Sequence, residues 1–377
     1  MATIERFSFP TTIHFGPGAR KLVAGHLKQQ GVKRPLIVTD KGIGALSILH
    51  DFAASLEGLE VKVYAGVFGN PVKKQVDEGA RAFRDHRADC VIGFGGGAAL
   101  DVAKAVAMMA VHEGDVLEYA WDHPRVRPIV NSLPYFIALP TTSGTGSEVG
   151  RSSVISDDVT HVKKIIFNPV LLARAVFADP ELTLELPAPV TAATGMDALT
   201  HNVESYLSPA YHPLCDGIAL EGARIAAHAI ETAVREPKNI AARSDMMMSS
   251  LMGAIAFQKD LGAVHSCAHA LGTVADMHHG LANGIMIDHV MRFNLEAADA
   301  KMAELARVCG AGATAQSFVD WLVALKARIH IPANLAGKVG RNDLARLVDI
   351  AVKDTCHQTN PRPVTAADFE RIFSQAL

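Results

Sequence analysis

Cysteine, aromatic residues and clustered positive charge are all scarce in this 377-residue sequence, and each shortage removes a class of function. The five cysteines, Cys90, Cys215, Cys267, Cys309 and Cys356, are odd in number and widely scattered. With no C-x-x-C pair they exclude a disulfide framework and a thiolate zinc site. Lys and Arg total 36 against 39 Asp and Glu, for a formal charge of −3. Without a basic cluster, a nucleic-acid partner is excluded, because phosphate binding needs concentrated Lys and Arg. No run of about 18 apolar residues goes uninterrupted by charge, Gly or Pro, so no membrane-spanning helix is expected. The opening MATIERFSFP has no apolar core of the kind a secretory signal requires, which makes the cytoplasm the expected compartment. Internal repeats and low-complexity linkers are missing as well.

What the chain does have is a 49% hydrophobic composition and enough length for two cores. Its first half alternates short β-branched runs with amphipathic stretches, the pattern of parallel strands joined by crossover helices. Strands are expected at Thr11 to Gly16, Pro35 to Asp40, Glu60 to Val67, Cys90 to Gly97, Tyr135 to Pro140 and Ala175 to Pro180. Helices are expected at Ala19 to Gln30, Leu46 to Leu56, Val76 to Arg84 and Ala99 to Ala110. Beyond about Leu182 no strand signal stands out, and Ala, Leu, Met and His recur at helical spacing. The reading is an α/β dinucleotide-binding domain over residues 1–180, with a Rossmann-like parallel sheet, followed by an all-helical domain over 181–377. Ligands often sit between two such domains.

Three features of the first half suit a dinucleotide. Gly95, Gly96 and Gly97 end a strand and open a helix, where a diphosphate can approach the backbone and meet free N–H groups. The same glycines also serve as a plain turn, and they form neither the G-x-G-x-x-G fingerprint nor a Walker A loop. Asp101, in the first turn that follows, suits a helix cap or a ribose contact. Asp40, ending PLIVTD, suits a ribose 2′-hydroxyl and would repel a 2′-phosphate, or it caps the next helix. The loop PTTSGTGS from Pro140 to Ser147 offers hydroxyls and glycines for polar ligand contacts.

The second half concentrates histidine. VHSCAHALGTVADMHHG holds His265, His269, His278 and His279 within a few turns. If Val264 to Ala275 is helical, His265 and His269 share one face, and Asp197 and His201 do the same on a second helix. One carboxylate with two or three imidazoles suits a divalent metal. Isolated histidines such as His26, His50, His228 and His289 read as hydrogen-bonded core residues.

Taken together in this order, the motifs resemble those of the iron-containing, or group III, alcohol dehydrogenase family over nearly the whole chain. GGGAALDVAK, with Gly95, Gly96, Gly97, Asp101 and Lys104, is similar to the family's G-G-G-S-x-x-D-x-x-K; Thr141 to Glu148 is similar to its TT-x-GTGSE, and Gly195 to His201 to its GMDALTH. The resemblance implies a dehydroquinate synthase-like fold, NAD, and Fe²⁺ or Zn²⁺ held by Asp197, His201, His265 and His279. It implies that His269 stands beside the metal as a proton-relay residue. It also implies cofactor contacts from Asp40, Asn70, Gly96, Gly97, Ala98, Asp101, Thr141, Thr142, Thr145, Ser147 and Lys164. Ala98 replaces the family's usual Ser, which implies altered dinucleotide binding. His278 stands where many members have Pro; His279 is preferred as the ligand because the H-G-x-x-N pattern then runs from His279 to Asn283.

The activity so implied is NAD-dependent oxidation of a small primary alcohol, or reduction of the aldehyde, by a homodimer or larger homo-oligomer in which the strand Thr11 to Phe15 extends a partner's sheet. In FQKDLG, Lys259 joins Arg151 as a cation suited to an anionic or polar substrate tail, unless the two are solvated or paired with Asp260 and Glu148. Competing readings are a metal-free reductase of the same fold, similar to maleylacetate reductase, and a metal-dependent hydrolase with a vestigial nucleotide domain.

Overall fold

The structure, a computed structural model, describes residues 7–9, 11–160 and 162–377; most of the opening segment read for a leader lies outside the described residues. The first half builds β1 (Thr12–Phe15), α1 (Val23–Gln29), β2 (Pro35–Asp40), α2 (Lys41–Gly44), α3 (Ser47–Ser55), β3 (Lys62–Val67), α4 (Lys73–His86), β4 (Cys90–Gly95), α5 (Gly97–Met109), β5 (Tyr135–Pro140), β6 (Ser152–Ser156), β7 (Lys163–Phe167) and β8 (Ala175–Ala178). The second half is helical: α6 (Ala188–Leu207), α7 (Pro213–Arg235), α8 (Ile240–Ala256), α9 (Ala263–Ala275), α10 (His279–Asn294), α11 (Asp299–Val308), α12 (Ala315–Arg328), α13 (Leu344–Lys353) and α14 (Ala366–Ala376). Two compact units result: residues 11–142 with Gly146–Thr183, and Leu184–Leu377 with Ser143–Thr145 and residues 7–9.

Six strands of the first unit form one sheet in the order β1-β8-β5-β4-β2-β3, parallel throughout. Its inner strands β2, β4 and β5 are buried almost end to end, so they read as unbroken apolar runs with no alternation. From β2 the chain runs outward to β3 and then returns across β2 to β4, so the winding direction reverses between β2 and β4. In open α/β sheets, ligands bind beyond the carboxyl ends of strands at such a reversal. Asp40, Gly95 and Pro140 end the three neighbouring strands there.

The sequence reading placed no strand between Pro140 and Ala175, yet β6 and β7 pair there as a separate antiparallel hairpin. Serine conceals it: two of the three buried residues of β6 are Ser153 and Ser156, and Ser153 Oγ donates to the Asp101 carbonyl at 2.8 Å. The helix expected over Ala19 to Gln30 is a 3-10 turn, Ala19–Leu22, leading into α1.

In the second unit α6 is buried on nearly every side from Thr191 to Leu207. Two of its polar side chains bond back into the helix: Thr200 Oγ1 donates to the Met196 carbonyl at 2.7 Å, and Asn202 Nδ2 to the Ala198 carbonyl at 2.8 Å. A helix packed all round can therefore carry Asp197 and His201 deep inside the core. Among the described residues, no helix is long and apolar enough to cross a membrane.

Asp179, fully buried just after β8, ties the sheet to the turn that follows β1. Its carboxylate accepts from the backbone N–H groups of Gly18 (3.0 Å), Arg20 (3.2 Å) and Glu181 (3.1 Å), and from Arg20 Nη1 (2.6 Å). Asp179→Ala strands the three backbone donors, while Arg20 Nη1 keeps Glu181 at 2.5 Å, and we expect a stability loss of about 3 kcal/mol or more, measured by urea unfolding. A loss under about 1 kcal/mol would mean that water replaces the carboxylate.

Candidate functional site

At the carboxyl edge of the sheet the glycine turn is sterically determined. Gly95 adopts φ 157°, and a Cβ there would lie 2.6 Å from that of Ala99; a Cβ on Gly96 would press on Thr142 at 3.2 Å. With Gly96 as its N-cap, α5 begins at Gly97, and the N–H groups of its first turn, including that of Ala98, have no intrahelical acceptor. Asp40 takes the capping role considered for it and leaves its second oxygen beside the glycine turn. Its Oδ1 accepts the Ile43 N–H at 2.9 Å and caps α2, while Oδ2 lies 3.5 Å from where a Gly95 Cβ would sit. Thr141 donates its backbone N–H to the Gly95 carbonyl at 3.0 Å, and its buried hydroxyl has no partner among the described residues. These features fit a ligand that is anionic near the helix start and carries hydroxyls near Asp40.

Other residues assigned to cofactor contact are occupied in building the loop. Asp101 accepts from Ser147 Oγ (2.6 Å) through Oδ1 and from the Val154 N–H (3.1 Å) through Oδ2, so its carboxylate braces the loop and β6. Lys104, buried within α5, donates to Ser147 Oγ (2.8 Å) and to the Ser152 carbonyl (2.7 Å). Lys164, on β7, pairs with Asp122 at 2.6 Å. Asn70 immediately precedes Pro71, whose carbonyl accepts the Ser156 N–H at 2.7 Å. Thr145 belongs to the Ser143–Thr145 segment of the helical unit, where Ser250 Oγ donates to the Gly144 carbonyl at 3.1 Å.

The helical unit brings Asp197 and His201 (α6), His265 (α9) and His279 (α10) together, with one donor atom from each within 4.8 Å of all the others. Asp197 Oδ1 lies 3.5 Å from His279 Nε2, 3.9 Å from His265 Nε2 and 4.0 Å from His201 Nε2. Asn283, one turn after His279, marks the point of convergence: its Nδ2 donates to Asp197 Oδ1 at 2.7 Å and lies 3.3 and 3.2 Å from Nε2 of His265 and His279. Asn283 Oδ1 is buried without a partner among the described residues. Burial pushes His201 and His265 down to about 4, against the opposing pull of Asp197, so both imidazoles are neutral and able to ligate at pH 7. Three imidazoles and a carboxylate converging on one point fit Fe²⁺ or Zn²⁺.

Sequence reasoning missed the groups that aim these donors. Glu204 sits 2.5 Å from His265 Nδ1 and accepts the Val264 N–H at 2.7 Å, capping α9 and turning His265 Nε2 toward the cluster. Burial raises its carboxyl to about 8 against three backbone N–H groups. The signal was available, since Asp197, His201 and Glu204 fall at i, i+4 and i+7 on one helix face. Asp354 had no such signal. It follows α13, and its Oδ2 lies 2.8 Å from His269 Nδ1. Burial of Asp354 is outweighed by His269, Ser266 and the Cys356 N–H, which hold its carboxyl well below the usual range. His269 therefore stands outside the four-donor group, although its ring stacks on His279 at 5.3 Å. His278 caps α10 by accepting the Leu281 N–H at 3.4 Å. Lys259 departs from both sequence readings, because it is buried in an ion pair with Asp216. Arg151 precedes β6, and its carbonyl accepts the Asn168 N–H at 3.0 Å.

Residues 10–180 match the family described as iron-containing alcohol dehydrogenase, and residues 191–377 match the C-terminal domain of the Fe-containing alcohol dehydrogenase family. The chain belongs to the iron-containing alcohol dehydrogenase family. The 4-hydroxybutyrate dehydrogenase of Cupriavidus necator is 38% identical over 97% of this chain and 98% of its own. A crystal structure of 1,3-propanediol oxidoreductase superposes with a TM-score of 0.94 at 35% identity, covering 99% of this chain and 100% of the other. Sulfoacetaldehyde reductase from Bifidobacterium kashiwanohense, solved in complex with NAD⁺, gives 0.90 at 28% identity over 100% and 99%. The protein is thus an NAD(H)-dependent alcohol or aldehyde oxidoreductase of the iron-containing family acting on a small molecule, which leaves the hydrolase reading without support.

Two outcomes follow. Glu204→Gln puts an amide N–H in place of one of the two carboxyl oxygens engaged by His265 and the start of α9, and metal affinity measured by chelator competition should fall about 10- to 100-fold; an unchanged affinity would remove Glu204 from any role in aiming His265. Glu148, buried beyond the GTGS loop, is pushed by burial up to about 7. Its folded form holds its proton more tightly than the unfolded chain does, so stability drops as pH climbs from about 4 to 7. Glu148→Gln should therefore gain in Tm relative to wild type between pH 5 and pH 8, and an identical difference at both pH values would overturn the assignment.

Proposed function

We propose that this protein is a divalent-metal-dependent, NAD(H)-linked dehydrogenase for short primary alcohols and their aldehydes whose far end carries a polar or anionic group. The observation that carries the reading is the convergence of Asp197, His201, His265 and His279 donor atoms within 4.8 Å. Each relative named above is described as acting on a compact substrate with a hydroxyl, carboxylate or sulfonate end. That pattern supports the polar-tail expectation even though Lys259 is committed to Asp216.

In this reading Asp197, His201, His265 and His279 hold the ion, and Glu204 and Asn283 orient three of those ligands. When bound, the ion supplies a Lewis acid for the alcohol oxygen and the dinucleotide supplies the hydride acceptor. His269 moves the proton at Nε2, with Asp354 fixing Nδ1 so that Nε2 is the exchanging nitrogen. The glycine turn and the start of α5 bind the diphosphate, and Asp40 Oδ2 selects a free ribose hydroxyl over a phosphate. Asp101 and Lys104 act by holding the loop at Ser147. As an exposed edge strand, β1 is where a second copy would add its own strand in a homodimer.

The test is elemental analysis of anaerobically purified protein together with NADH oxidation before and after chelation. Activity should fall with the metal and return with Fe²⁺ or Zn²⁺. An aldehyde bearing an ω-carboxylate or ω-hydroxyl should exceed the unsubstituted aldehyde of equal length in kcat/KM by about 10- to 100-fold, the worth of one charge-assisted hydrogen bond. Full activity after complete metal removal would instead favour the metal-free reductase of this fold.

A further inference from the structure

A second group of ligand-type side chains lies beside the first and shares none of its members. His269 on α9, Asp354 after α13 and Cys356 in the 3-10 turn that follows place an imidazole nitrogen, a carboxylate oxygen and a thiol sulfur within 4.8 Å of one another. The arrangement is braced from outside. Asp354 Oδ1 accepts from Ser266 Oγ (2.7 Å) and the Cys356 N–H (2.9 Å), which fixes the carboxylate and leaves Oδ2 facing His269 Nδ1 at 2.8 Å. Ser266 Oγ also accepts the His357 N–H at 3.0 Å, pinning the turn that carries Cys356 to α9. The Cys356 sulfur lies within 4.8 Å of an oxygen of the same carboxylate. As a residue Cys356 keeps some solvent access, whereas the other four cysteines are buried.

We propose that His269, Asp354 and Cys356 form a second, weaker site for a thiophilic divalent cation such as Zn²⁺ or Co²⁺, and that filling it inhibits the enzyme. One nitrogen, one oxygen and one sulfur donor suit these ions in incomplete tetrahedral sites with an open position. Two protons now lie beside Asp354, on His269 Nδ1 and on the thiol, and the cation takes their place. The thiol proton leaves to solvent, the imidazole proton passes from Nδ1 to Nε2, and two negative ligands with one 2+ ion make a neutral centre. The site is the weaker of the two because it has three ligands and because its desolvated thiol, beside the Asp354 charge, gives up its proton reluctantly. Inhibition rests on the role given to His269 above: with Nδ1 on the ion and a proton on Nε2, that imidazole can accept no other. Ion binding does not rest on it.

Cobalt separates the two claims, since none of the four donors of the first group is sulfur. Protein carrying one Co²⁺ per chain should show no sulfur-to-cobalt charge-transfer absorption; further Co²⁺ should bring up such a band in the near ultraviolet and bind a second equivalent in equilibrium dialysis. Cys356→Ser, and Cys356→Ala as a second variant, should keep basal activity and lose the band, and the Co²⁺ concentration that inhibits turnover should rise by about tenfold or more. Absence of the band at excess Co²⁺, or its persistence in both variants, overturns the site. A Cys356-dependent band without inhibition supports the site and overturns the proton-relay role of His269.

Discussion

The crossing of α10 over α6 at Gly280 sets the scale of the whole four-donor cluster. A Cβ on Gly280 would overlap the carbonyl oxygen of Ala193, so only glycine allows the two backbones this close. His279, the preceding residue, is thereby carried to within 3.5 Å of Asp197. The third helix arrives under a different constraint: Glu204 of α6 caps α9 and holds His265 by its far nitrogen. One steric contact and one buried carboxylate thus fix three helices to the precision that converging donors require. Desolvation then keeps His201 and His265 uncharged, which turns a costly burial of polar groups into a prepared ligand set.

The dinucleotide side follows from the winding of the sheet. Because the reversal lies between β2 and β4, the strand that ends in glycines is β4 and the strand that ends in an acid is its neighbour β2. A first-strand fingerprint would look for both features in other places, and the short G-G-G turn is how this winding expresses the same need for bare backbone at a helix start. Asp40 divides its two oxygens between the cap of α2 and the side of the glycine turn, so capping the helix leaves one carboxylate oxygen uncommitted to the cap.

Much of this was legible in the sequence because it is written locally. Apolar runs mark the buried strands, the i, i+4 pairing of Asp197 and His201 marks one helix face, and the H-G-x-x-N pattern singles out His279 from its neighbour His278. What stayed hidden depends on partners distant in the chain. Asp354 reaches His269 from 85 residues away, and Lys259 is neutralised by Asp216 across 43. The hairpin β6–β7 escaped because serine takes two of the three buried positions of β6, and Ser153 there bonds to α5. Asp101 looked like a ligand contact because its position after the glycines is right; that Ser147 and Val154 engage both of its oxygens is a tertiary fact.

The loop Ser143–Thr145 has a consequence for the order in which the molecule can be made. It follows β5 directly, yet the Gly144 carbonyl waits for the hydroxyl of Ser250, 106 residues further along. At ordinary rates of synthesis that interval is on the order of ten seconds. A nascent chain can therefore complete its sheet while the segment at the end of β5 still lacks the helices that hold it. The residues that leave β5 are thus made with the sheet but belong to the helical unit, and they wait for it.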